Sequence, residues 1–395
     1  MSRIEELIRE LCPRGVEFQQ LGEVARIKAG PNINKRLIAG RPGPYPVINS
    51  GREPLGHVDH FNVEDDPIGI ASRGSVGLVT WTKGRFFRGN LNYSCTVGDP
   101  SLLDSRFLYH YLLRSDPEIQ ALATHQGIPA LNAGALKTLR VPIPPLELQR
   151  EIVRVLDKFT QLEAELEAEL EARRAQYEHY RNSLIAFSND VERVALGDLG
   201  DLFGGLTGKS KVDFTGGNAR FIAYTNVFHN IAVRTDLDDF VKVAPGERQR
   251  TLAYGDVLFT GSSESADEVG MTSVVTSKLN EPVYLNSFSI GFRPYDVERL
   301  DPEFAKHLFR SHSLRSQIVK TANGVTRFNV SKTRLRKIQV PLPSRAEQAR
   351  IARVLDNFEE LTNDLTIGLP AELAARRKQY EHYRDRLLTF KELAS

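Results

Sequence analysis

The chain has 395 residues, 41% hydrophobic and 26% charged, a composition that fits two to four globular domains. Its formal net charge of +2 neither requires nor excludes a polyanionic partner. With Cys12 and Cys95 as the only cysteines, the sequence predicts neither a disulfide framework nor a cysteine metal site. Residues 1–15 lack the apolar core of a signal peptide and no run of about 18 apolar residues occurs, so we expect a cytoplasmic protein without a membrane span.

The N-terminal segment predicts a short amphipathic helix over residues 2–11, which ends before Pro13. The next stretch, VEFQQLGEVARIKAG (16–30), is echoed by VERVALGDLGDLFGG (191–205). The N-terminal helix therefore precedes a first module in the same way that residues 172–190 precede a second module. We therefore expect the N-terminal helix to pack near the C-terminal one.

Two modules of similar layout are predicted, a first over residues 16–140 and a second over about 188–337. Asp104 and Asp301 each introduce a helix. Outside these landmarks the module interiors differ, which indicates equal tasks on different targets. The modules end alike, with HQGIPALN (125–132) matching TANGVTRFN (321–329), and their other predicted elements are strands at 67–72, 76–81, 92–97, 257–261, 272–276 and 284–292 and a second helix at about 117–125.

A long repeated segment follows each module. VPIPPLELQREIVRVLDKFTQL (141–162) returns as VPLPSRAEQARIARVLDNFEEL (340–361), and ARRAQYEHYRNSLIAF (172–187) returns as ARRKQYEHYRDRLLTF (375–390). The repeat distance is far too long for a solenoid, so the chain uses one half-molecule twice. The predicted domain order is residues 1–140, 141–187, 188–337 and 338–395.

The repeated segment predicts a long helix. It begins near Pro145, since Pro suits a first helical position, and it continues because no Gly or Pro interrupts residues 146–187. At about 1.5 Å per residue this helix would be roughly 64 Å long. Apolar residues step by three and four, the spacing of a coiled-coil seam, and the best partner for the seam is its own twin. The alternative, a helix pair buried inside one globule, fits this length less well. Helix pairing is assigned to Ile152, Val155, Phe159, Leu162, Leu166, Tyr177, Tyr180, Leu184, Ile351, Val354, Phe358, Leu361, Tyr380, Tyr383 and Leu387.

The two copies of this helix differ in two respects. Gly368 and Pro370 predict a break in the second copy, giving segments at about 345–367 and 370–391. The first copy contains LEAELEAELEA (162–172), a four-residue tandem. It is either helix-favouring filler or a spacer whose length changes in four-residue steps.

Motifs for catalysis or metal binding are weak. GGLTGKS (204–210) is one residue short of a phosphate-binding loop and precedes no obvious helix, so we interpret it as a Gly-rich turn with exposed Lys209 and Lys211. His57, Asp59 and His60 are too few and too loosely spaced for a metal site. Neither a nucleophile elbow nor the usual signals of an amino-methyltransferase occur.

Basic residues interleaved with aromatic and polar ones are more informative, because Arg and Lys contact phosphates, and Arg, Asn and Gln on turns read base edges. The other interpretation is an ordinary solvated surface, and the clusters leave both open. The candidate DNA-binding residues are Arg73, Lys83, Arg85, Arg88, Lys209, Lys211, Arg220, Arg248, Arg250, Arg327, Lys332 and Arg334.

Taken together, these features resemble the specificity (S) subunits of type I restriction-modification systems, over the whole length of the chain. The resemblance is carried by the two variable modules with LGE and LGD starts (Leu21-Gly22-Glu23 and Leu196-Gly197-Asp198), the repeated V-P-[IL]-P…Q…R-V-L-D-x-F helix and the central tandem. It implies two mixed α/β target-recognition domains held apart by two long helices in an antiparallel coiled coil. Each domain would read half of a bipartite, asymmetric DNA target.

The resemblance also implies partners. Two modification subunits, with S-adenosylmethionine and the adenine methyltransferase sites, would dock on the helices, and restriction subunits would add ATP- and Mg²⁺-dependent translocation and cleavage. The chain itself would hold no active site, cofactor or metal. Gly368 and Pro370 depart from a smooth repeat, which puts the symmetry of the second docking surface in doubt. The rival hypotheses are a self-contained methyltransferase or nuclease, and a coiled-coil scaffold that does not bind DNA.

Overall fold

A computed structural model describes residues 3–125, 127–363 and 368–393 of the chain. These residues form two compact units. The first unit contains the residues up to Glu167 together with those from Glu372 onward, and the second contains Ala168–Ala371. Each unit therefore combines one module with segments of the long helices.

The first unit is a mixed α+β structure. Its helix α1 corresponds to the predicted N-terminal helix, with Ile4 and Leu7 buried. Its elements are α1 (Arg3–Leu11), β1 (Glu17–Gln20), α2 (Leu21–Val24), β2 (Ala25–Ala29), α3 (Lys35–Gly40), β3 (Tyr45–Ile48), β4 (His57–Val58), β5 (Ile68–Ala71), β6 (Val79–Trp81), β7 (Phe87–Arg88), β8 (Asn92–Val97), α4 (Ser105–Arg114), α5 (Asp116–Ala121), β9 (Ala123–Thr124), β10 (Ala130–Leu131), α6 (Ala133–Leu136), β11 (Arg140–Ile143) and the first part of α7 (Leu146–Leu184).

The second unit follows a similar order of elements after the remainder of α7, with α9 and β17 as additional elements. A short 3₁₀ helix at Lys211–Phe214 follows the Gly-rich stretch that resembles a phosphate loop. Its further elements are β12 (Arg193–Ala195), α8 (Leu196–Leu199), β13 (Gly200–Gly204), β14 (Ala219–Ile222), α9 (Tyr224–His229), β15 (Phe240–Val241), β16 (Val257–Thr260), β17 (Ser262–Ser263), β18 (Thr272–Val274), β19 (Val283–Leu285), β20 (Ser289–Pro294), α10 (Pro302–Leu308), α11 (His312–Val319), β21 (Ala322–Asn323), β22 (Phe328–Val330), α12 (Lys332–Leu335), β23 (Gln339–Pro341) and α13 (Arg345–Asn363); α14 (Leu369–Leu387) then leads back to the first unit.

The sheets show that the two modules have one architecture. Each has a four-stranded antiparallel sheet, in the order β2-β8-β5-β6 in the first and β13-β20-β16-β18 in the second. Each also has a three-stranded sheet with one parallel pair, β3–β7 in the first module and β14–β19 in the second. A two-stranded ladder ties the start of each module to its end, β1 with β11 and β12 with β23. The predicted fold class, mixed α+β domains in tandem, is confirmed.

The core of each unit joins its module to its long helices. In the first unit Phe107 and Leu108 of α4 share a buried cluster with Ile152 of α7 and Leu388 after α14. In the second unit Phe304 of α10 shares a cluster with helix residues of both α7 and α13. Burial of large aliphatic and aromatic side chains contributes about 1.5–3 kcal/mol each, so these clusters fix the modules on the helices.

Several predicted boundaries are wrong for identifiable reasons. The second helix of the first module ends at Ala121 rather than near 125, because Ala123–Thr124 pairs with β10 instead. The predicted strand 284–292 is two strands, β19 and β20, since the side chain of Asn286 bonds Phe288 N and turns the chain between them. Helix α7 ends at Leu184 rather than 187.

The predicted break of the C-terminal helix into two segments is confirmed. Helix α13 ends at Asn363 and α14 begins at Leu369, while residues 364–367 lie outside the described part of the chain. Pro370 stands in the first turn of α14, where a backbone N–H has no intrahelical partner to lose. The N-terminal helix packs beside the C-terminal one as expected: Arg386 bonds Glu5 at 2.9 Å, and Val16 N donates to Lys391 O.

Candidate nucleic-acid interface

An open groove on the second unit brings together exposed basic, polar and aromatic side chains. Two adjoining cavities of about 440 and 570 Å³ form it, and both are lined by Ser262, Phe288 and Arg327. The walls come from five segments: the end of β13 with residues 205–207, helix α9, the β17 region, the turn between β19 and β20, and the β21–β22 hairpin with the start of α12. The β17 region also contributes two acidic side chains, Glu264 and Glu268, to one of the cavities. We name this surface the reading groove.

The turn between β19 and β20 points an aromatic ring into the reading groove. The Asn286 side chain donates to Ile222 O at 3.0 Å and accepts from Phe288 N at 2.9 Å. Gly261 N in turn donates to Phe288 O, which ties this turn to the end of β16. The Phe288 side chain is left 63% exposed.

Two exposed cations, Arg327 and Lys332, line the hairpin side of the reading groove, and a third, Arg334, lies next to them on α12. Arg327 donates from Nη2 to Ser262 Oγ at 3.1 Å, and Arg334 donates from Nη1 to Asn323 Oδ1 at 2.7 Å. Lys332 opens α12 and also lines the groove. Within the described part of the chain none of the three forms an ion pair, so their charge is available to an anionic partner. The structure thus brings together the predicted residues Arg327, Lys332 and Arg334.

Two predicted contacts of the second unit are already occupied by carboxylates. Lys209, expected to be exposed, has a largely buried side chain whose Nζ lies 2.6 Å from Glu247 Oε1. Hydrogen bonding by Lys209 is the main cause that lowers the pKa of Glu247 to about 2. Arg220 pairs with Glu281 at 2.7 Å. The other predicted residues of this unit, Lys211, Arg248 and Arg250, are exposed, and Arg250 lies over the ring of Phe203.

The prediction for Arg88 is wrong, because this residue lies inside the first unit with only 3% of its surface exposed. Its guanidinium bonds Asn92 Oδ1 at 2.6 Å and Asp66 O at 2.5 Å, so it supports the loop that precedes β5. Burial is the main cause that lowers the pKa of Arg88. Arg85 is exposed but paired with Glu64 at 2.7 Å.

Two predicted cations of the first unit remain exposed, Arg73 and Lys83. Arg73 directly follows β5 and Ser72 and forms an isolated bridge with Ala130 of the β9–β10 hairpin. This is the place that Ser262 and its partner Asn329 hold in the second unit. Arg73 therefore occupies the edge of the first module that matches the reading groove of the second.

Sequence reasoning missed the joint that fixes each module to its helices. In the first unit His110 of α4 is completely buried, with Nε2 2.8 Å from Asp157 Oδ1 and Nδ1 3.1 Å from the Tyr380 hydroxyl. The ionised carboxylate only accepts, so Nε2 carries the proton and Nδ1 accepts from the tyrosine. Module, α7 and α14 thus meet at one side chain. Arg106 adds a bond to the same carboxylate at 2.7 Å.

The second unit contains the same joint, built from the other copy of each helix residue. His307 of α10 is fully buried, 2.7 Å from Asp356 Oδ1 and 3.0 Å from the Tyr177 hydroxyl. Lys306 adds a contact to Asp356 at 2.8 Å. The Asp residues belong to the repeated R-V-L-D sequence and the Tyr residues to the repeated Q-Y-E-H-Y, so identity between the copies was the available signal.

A repeated glutamine completes each joint. Gln149 and Gln348 are buried, and each side-chain oxygen accepts from the backbone N–H of the Asp that caps the module helix, Asp104 at 2.8 Å and Asp301 at 2.9 Å. Each side-chain amide also donates to a proline carbonyl at the start of its own long helix. Helices α4 and α10 are therefore each positioned relative to the long helix that comes after the module in the chain.

Burial decides the ionisation of the joints. It is the main cause that lowers the pKa of both His110 and His307, although the carboxylates oppose it. Burial would raise the pKa of Asp157 and Asp356, but hydrogen bonds from the histidines and their cationic neighbours outweigh it, and the net shift is downward. Each joint is a neutral imidazole between an ionised carboxylate and a tyrosine hydroxyl.

The long helices use two faces rather than the single predicted seam. The face with Leu148, Ile152 and Leu156 is buried against the first module, whereas Phe159 stacks on Tyr383 of α14 at 5.3 Å. In the second unit Tyr180 stacks on Phe358 at 5.2 Å. Among the predicted pairing residues, Ile152, Tyr177, Ile351 and Tyr380 are buried, Val155, Phe159, Leu166, Leu184, Val354, Phe358 and Leu387 are half-buried, and Leu162, Tyr180, Leu361 and Tyr383 are exposed.

The weak metal candidates form no ligand set. His60 and Asp59 bond one another at 2.6 Å on the surface, while His57 belongs to β4. Within the described residues, no group of three or more His, Cys, Asp or Glu side chains is arranged to hold a metal ion. In the same part of the chain, no helix combines the length and apolar character needed to cross a membrane.

Comparison with known proteins decides the family. The family model described as the type I restriction modification DNA specificity domain matches twice, at residues 13–172 and 188–375. The chain belongs to this family. A putative type I restriction enzyme specificity subunit of Haemophilus influenzae is 29% identical over 95% of this chain and 96% of its own length. The specificity subunit of the Escherichia coli enzyme EcoR124I/EcoR124II is 32% identical over 64% of this chain and 63% of its own.

Solved structures agree on the fold of this specificity subunit. The S subunit of a type I system from M. genitalium aligns with a TM-score of 0.57 at 19% identity, over 95% of this chain and 96% of that one. A chain from a study of complex assembly and conformational transition of the type I R-M system aligns with a TM-score of 0.55 at 16% identity, over 95% and 98%. The role of a specificity subunit is to give its restriction-modification system DNA sequence specificity.

Proposed function

We propose that each module of this specificity subunit reads one half of a bipartite, asymmetric DNA target. The repeated joint carries this proposal: the same His, Asp, Tyr and Gln set mounts both modules. The surfaces that the joints present differ. Equivalent backbone hydrogen bonds relate the two modules: Val330 N donates to Gly261 O, and Leu131 N donates to Ser72 O. By this correspondence, Arg327 of the reading groove matches Ile128 in the first module. Phe288 matches Leu91, because Gly261 N donates to Phe288 O and Ser72 N donates to Leu91 O. Two modules that are attached in the same way but expose different side chains are suited to recognise two different DNA half-sites.

The long helices would set the distance between the half-sites and dock two modification subunits. Helix α7 supports this role because its 39 residues run without interruption from the first unit into the second. Tyr180 and Tyr383, each 36% exposed or more, offer apolar area on the helices to a docked subunit. Double-stranded DNA and restriction subunits are the further partners.

The chain would be non-catalytic within this complex. The sequence carries no signature of a methyltransferase or nuclease, so the modification subunits would bind S-adenosylmethionine and the restriction subunits ATP and Mg²⁺. This chain would contribute sequence recognition, spacing and docking.

Exchange of one module tests the division of labour. Residues 16–140 are replaced by the same module of a relative with a different DNA target, and the variant is expressed with its modification subunits. Because the ladder and joint that mount the module recur in both units, the hybrid should fold and methylate. Single-molecule sequencing of host DNA should show a motif that changes in one half and keeps the other half.

Exchange of residues 188–337 is the matched control and should change only the opposite half. A change in both halves from either exchange, or an unchanged motif from an active hybrid, would contradict the assignment of one half-site to each module.

A further inference from the structure

The tip of the β21–β22 hairpin exposes an apolar residue beside Arg327, a cation that forms no ion pair with the residues that the structure describes. Val325 is 90% exposed, the highest value among the large hydrophobic residues described. The tip is a tight turn: Gly324 has φ +132°, and a Cβ there would come within 1.9 Å of Arg327 O. An exposed aliphatic on a constrained turn gains nothing for folding, since it stays in water.

Arg327, two residues further on, is positioned by a hydrogen bond, and no carboxylate of the described residues pairs with it. Its Nη2 is fixed by Ser262 Oγ at 3.1 Å, while its other guanidinium N–H groups have no partner within the described residues. Phe288, the exposed aromatic of the reading groove, lies against the same cavities. Fixing a long side chain in advance lowers the entropy lost when it binds.

This combination matches the chemistry of a base-pair edge. The major groove of DNA, about 12 Å wide, admits a two-stranded β-ribbon. Arg bonds the O6 and N7 acceptors of guanine, and apolar side chains contact the thymine methyl group. Lys332 and Arg334 stand beside the hairpin as exposed cations that can meet the flanking phosphates.

The first module repeats part of the design. Its β9–β10 hairpin carries Ile128 at the position that corresponds to Arg327; this residue is 77% exposed and follows Gly127, which has φ +84°. Arg73 forms a bridge with Ala130 at the base of this hairpin. An exposed aliphatic at the same hairpin of both modules is not explained by the core of either.

We propose that the β21–β22 hairpin is the base-reading element of the second module: it enters the DNA major groove, where Arg327 bonds a guanine edge and Val325 and Phe288 contact neighbouring thymine methyl groups. This assignment rests on the proposed function, because it names the part of one module that reads its half-site.

The test uses the full chain with its modification subunits and reads the methylated motif from a library of DNA targets. Arg327→Ala should relax the preference for one G·C pair in one half of the motif by roughly 5- to 150-fold, the range for a bidentate contact. Arg327→Lys should relax it as well, because an ammonium keeps the charge but loses the bidentate fork. Val325→Ala should weaken selection at one A·T pair in the same half.

Lys278→Ala with Val212→Ala is the matched control. It removes an exposed cation and a 78% exposed aliphatic from the same unit, outside the reading groove. The motif should be unchanged in this variant, with at most weaker binding at every site.

Three results would overturn the proposal. One is an active Arg327→Ala enzyme with an unchanged motif. Another is a change in the other half of the motif. The third is loss of methylation in Arg327→Ala while Arg327→Lys keeps the original motif, which would make Arg327 a phosphate contact. If module exchange still alters one half of the motif in any of these cases, the assignment of half-sites stands and only the hairpin assignment fails.

Discussion

At the scale of single residues, two buried histidines explain how each module is mounted. His110 and His307 each join three segments that are far apart in sequence, through a carboxylate on one long helix and a tyrosine on another. Removing one member leaves buried polar partners unsatisfied, at about 1–3 kcal/mol per group. The histidines therefore act as positioning residues for the modules.

His110 makes the stability of the first unit depend on pH. Its folded-state pKa lies below the ordinary value of about 6.5, mainly through burial, so the unfolded chain takes up a proton that the folded chain does not. The stability that depends on neutral His110 is complete above about pH 6.5 and is lost as the pH falls, by up to about 1.4 kcal/mol per pH unit. Trp81, the only tryptophan, stacks on Arg106 beside this joint and reports the transition by fluorescence.

At pH 7.5 the unfolding midpoint of His110→Asn should be lower than that of the unmodified chain, because Asp157 and Tyr380 lose their partner. Between pH 7.5 and 5.5, the midpoint of the variant should fall less than that of the unmodified chain. His382→Asn, which changes an exposed histidine of the same unit, is the control and should keep the full pH dependence. Equal pH slopes in all three proteins would show that His110 does not titrate in this window.

At the scale of elements, α7 has the central place because it belongs to both units. Its first part, 146–167, packs with the first module and α14, where Arg377 bonds Glu163 at 2.6 Å and also Glu167. Its remainder packs with the second module and α13. At 39 residues and about 1.5 Å each it is roughly 58 Å long. The tandem 162–172 includes the point where the helix changes unit.

Lengthening α7 should therefore widen the gap between the half-sites. One further Glu-Ala-Glu-Leu unit inserted in 162–172 adds about 6 Å and rotates the C-terminal remainder of the helix by about 40°. With about 3.4 Å per base pair, the gap should grow by about two base pairs, or by one if a coiled-coil stutter absorbs part of the insertion. The bases of both halves should stay the same. The measurement is the methylated motif of the insertion variant.

The length-neutral variant Ala168→Gln is the control for this insertion, since it alters an exposed position of the same tandem. Its gap should be unchanged. An active insertion variant with the original gap would show that α7 does not set the spacing.

At the scale of the whole molecule, the chain consists of two units with one architecture and different surfaces. Of the predicted DNA contacts, Arg327 and Lys332 line the reading groove, Arg334 lies next to them on α12, and Arg88 is buried. Under the proposed function, such a recognition subunit would need no reactive group of its own, because its partners would carry out catalysis.

The purified chain alone should not methylate DNA. Incubated with labelled S-adenosylmethionine and target DNA, it should incorporate no label above a blank without protein, since the sequence contains no cofactor loop. Addition of the modification subunits should restore incorporation and serves as the positive control. Methyl transfer by the chain free of any partner would favour the rival hypothesis of a self-contained enzyme.

The sequence by itself determined the duplication, the two modules, the capped helices at Asp104 and Asp301 and the long helix after Pro145, because periodicity, caps and identity between copies are local signals. It also carried the resemblance that the family match confirms. Only the tertiary structure decided which basic residues are exposed to solvent and which are buried or paired with a carboxylate. Arg88 and Arg327 look alike in sequence, but one is desolvated by the loop that folds over it and the other faces water. Ion pairing and burial depend on neighbours distant in sequence, as do the joints of His110 and His307, and no local pattern contains them.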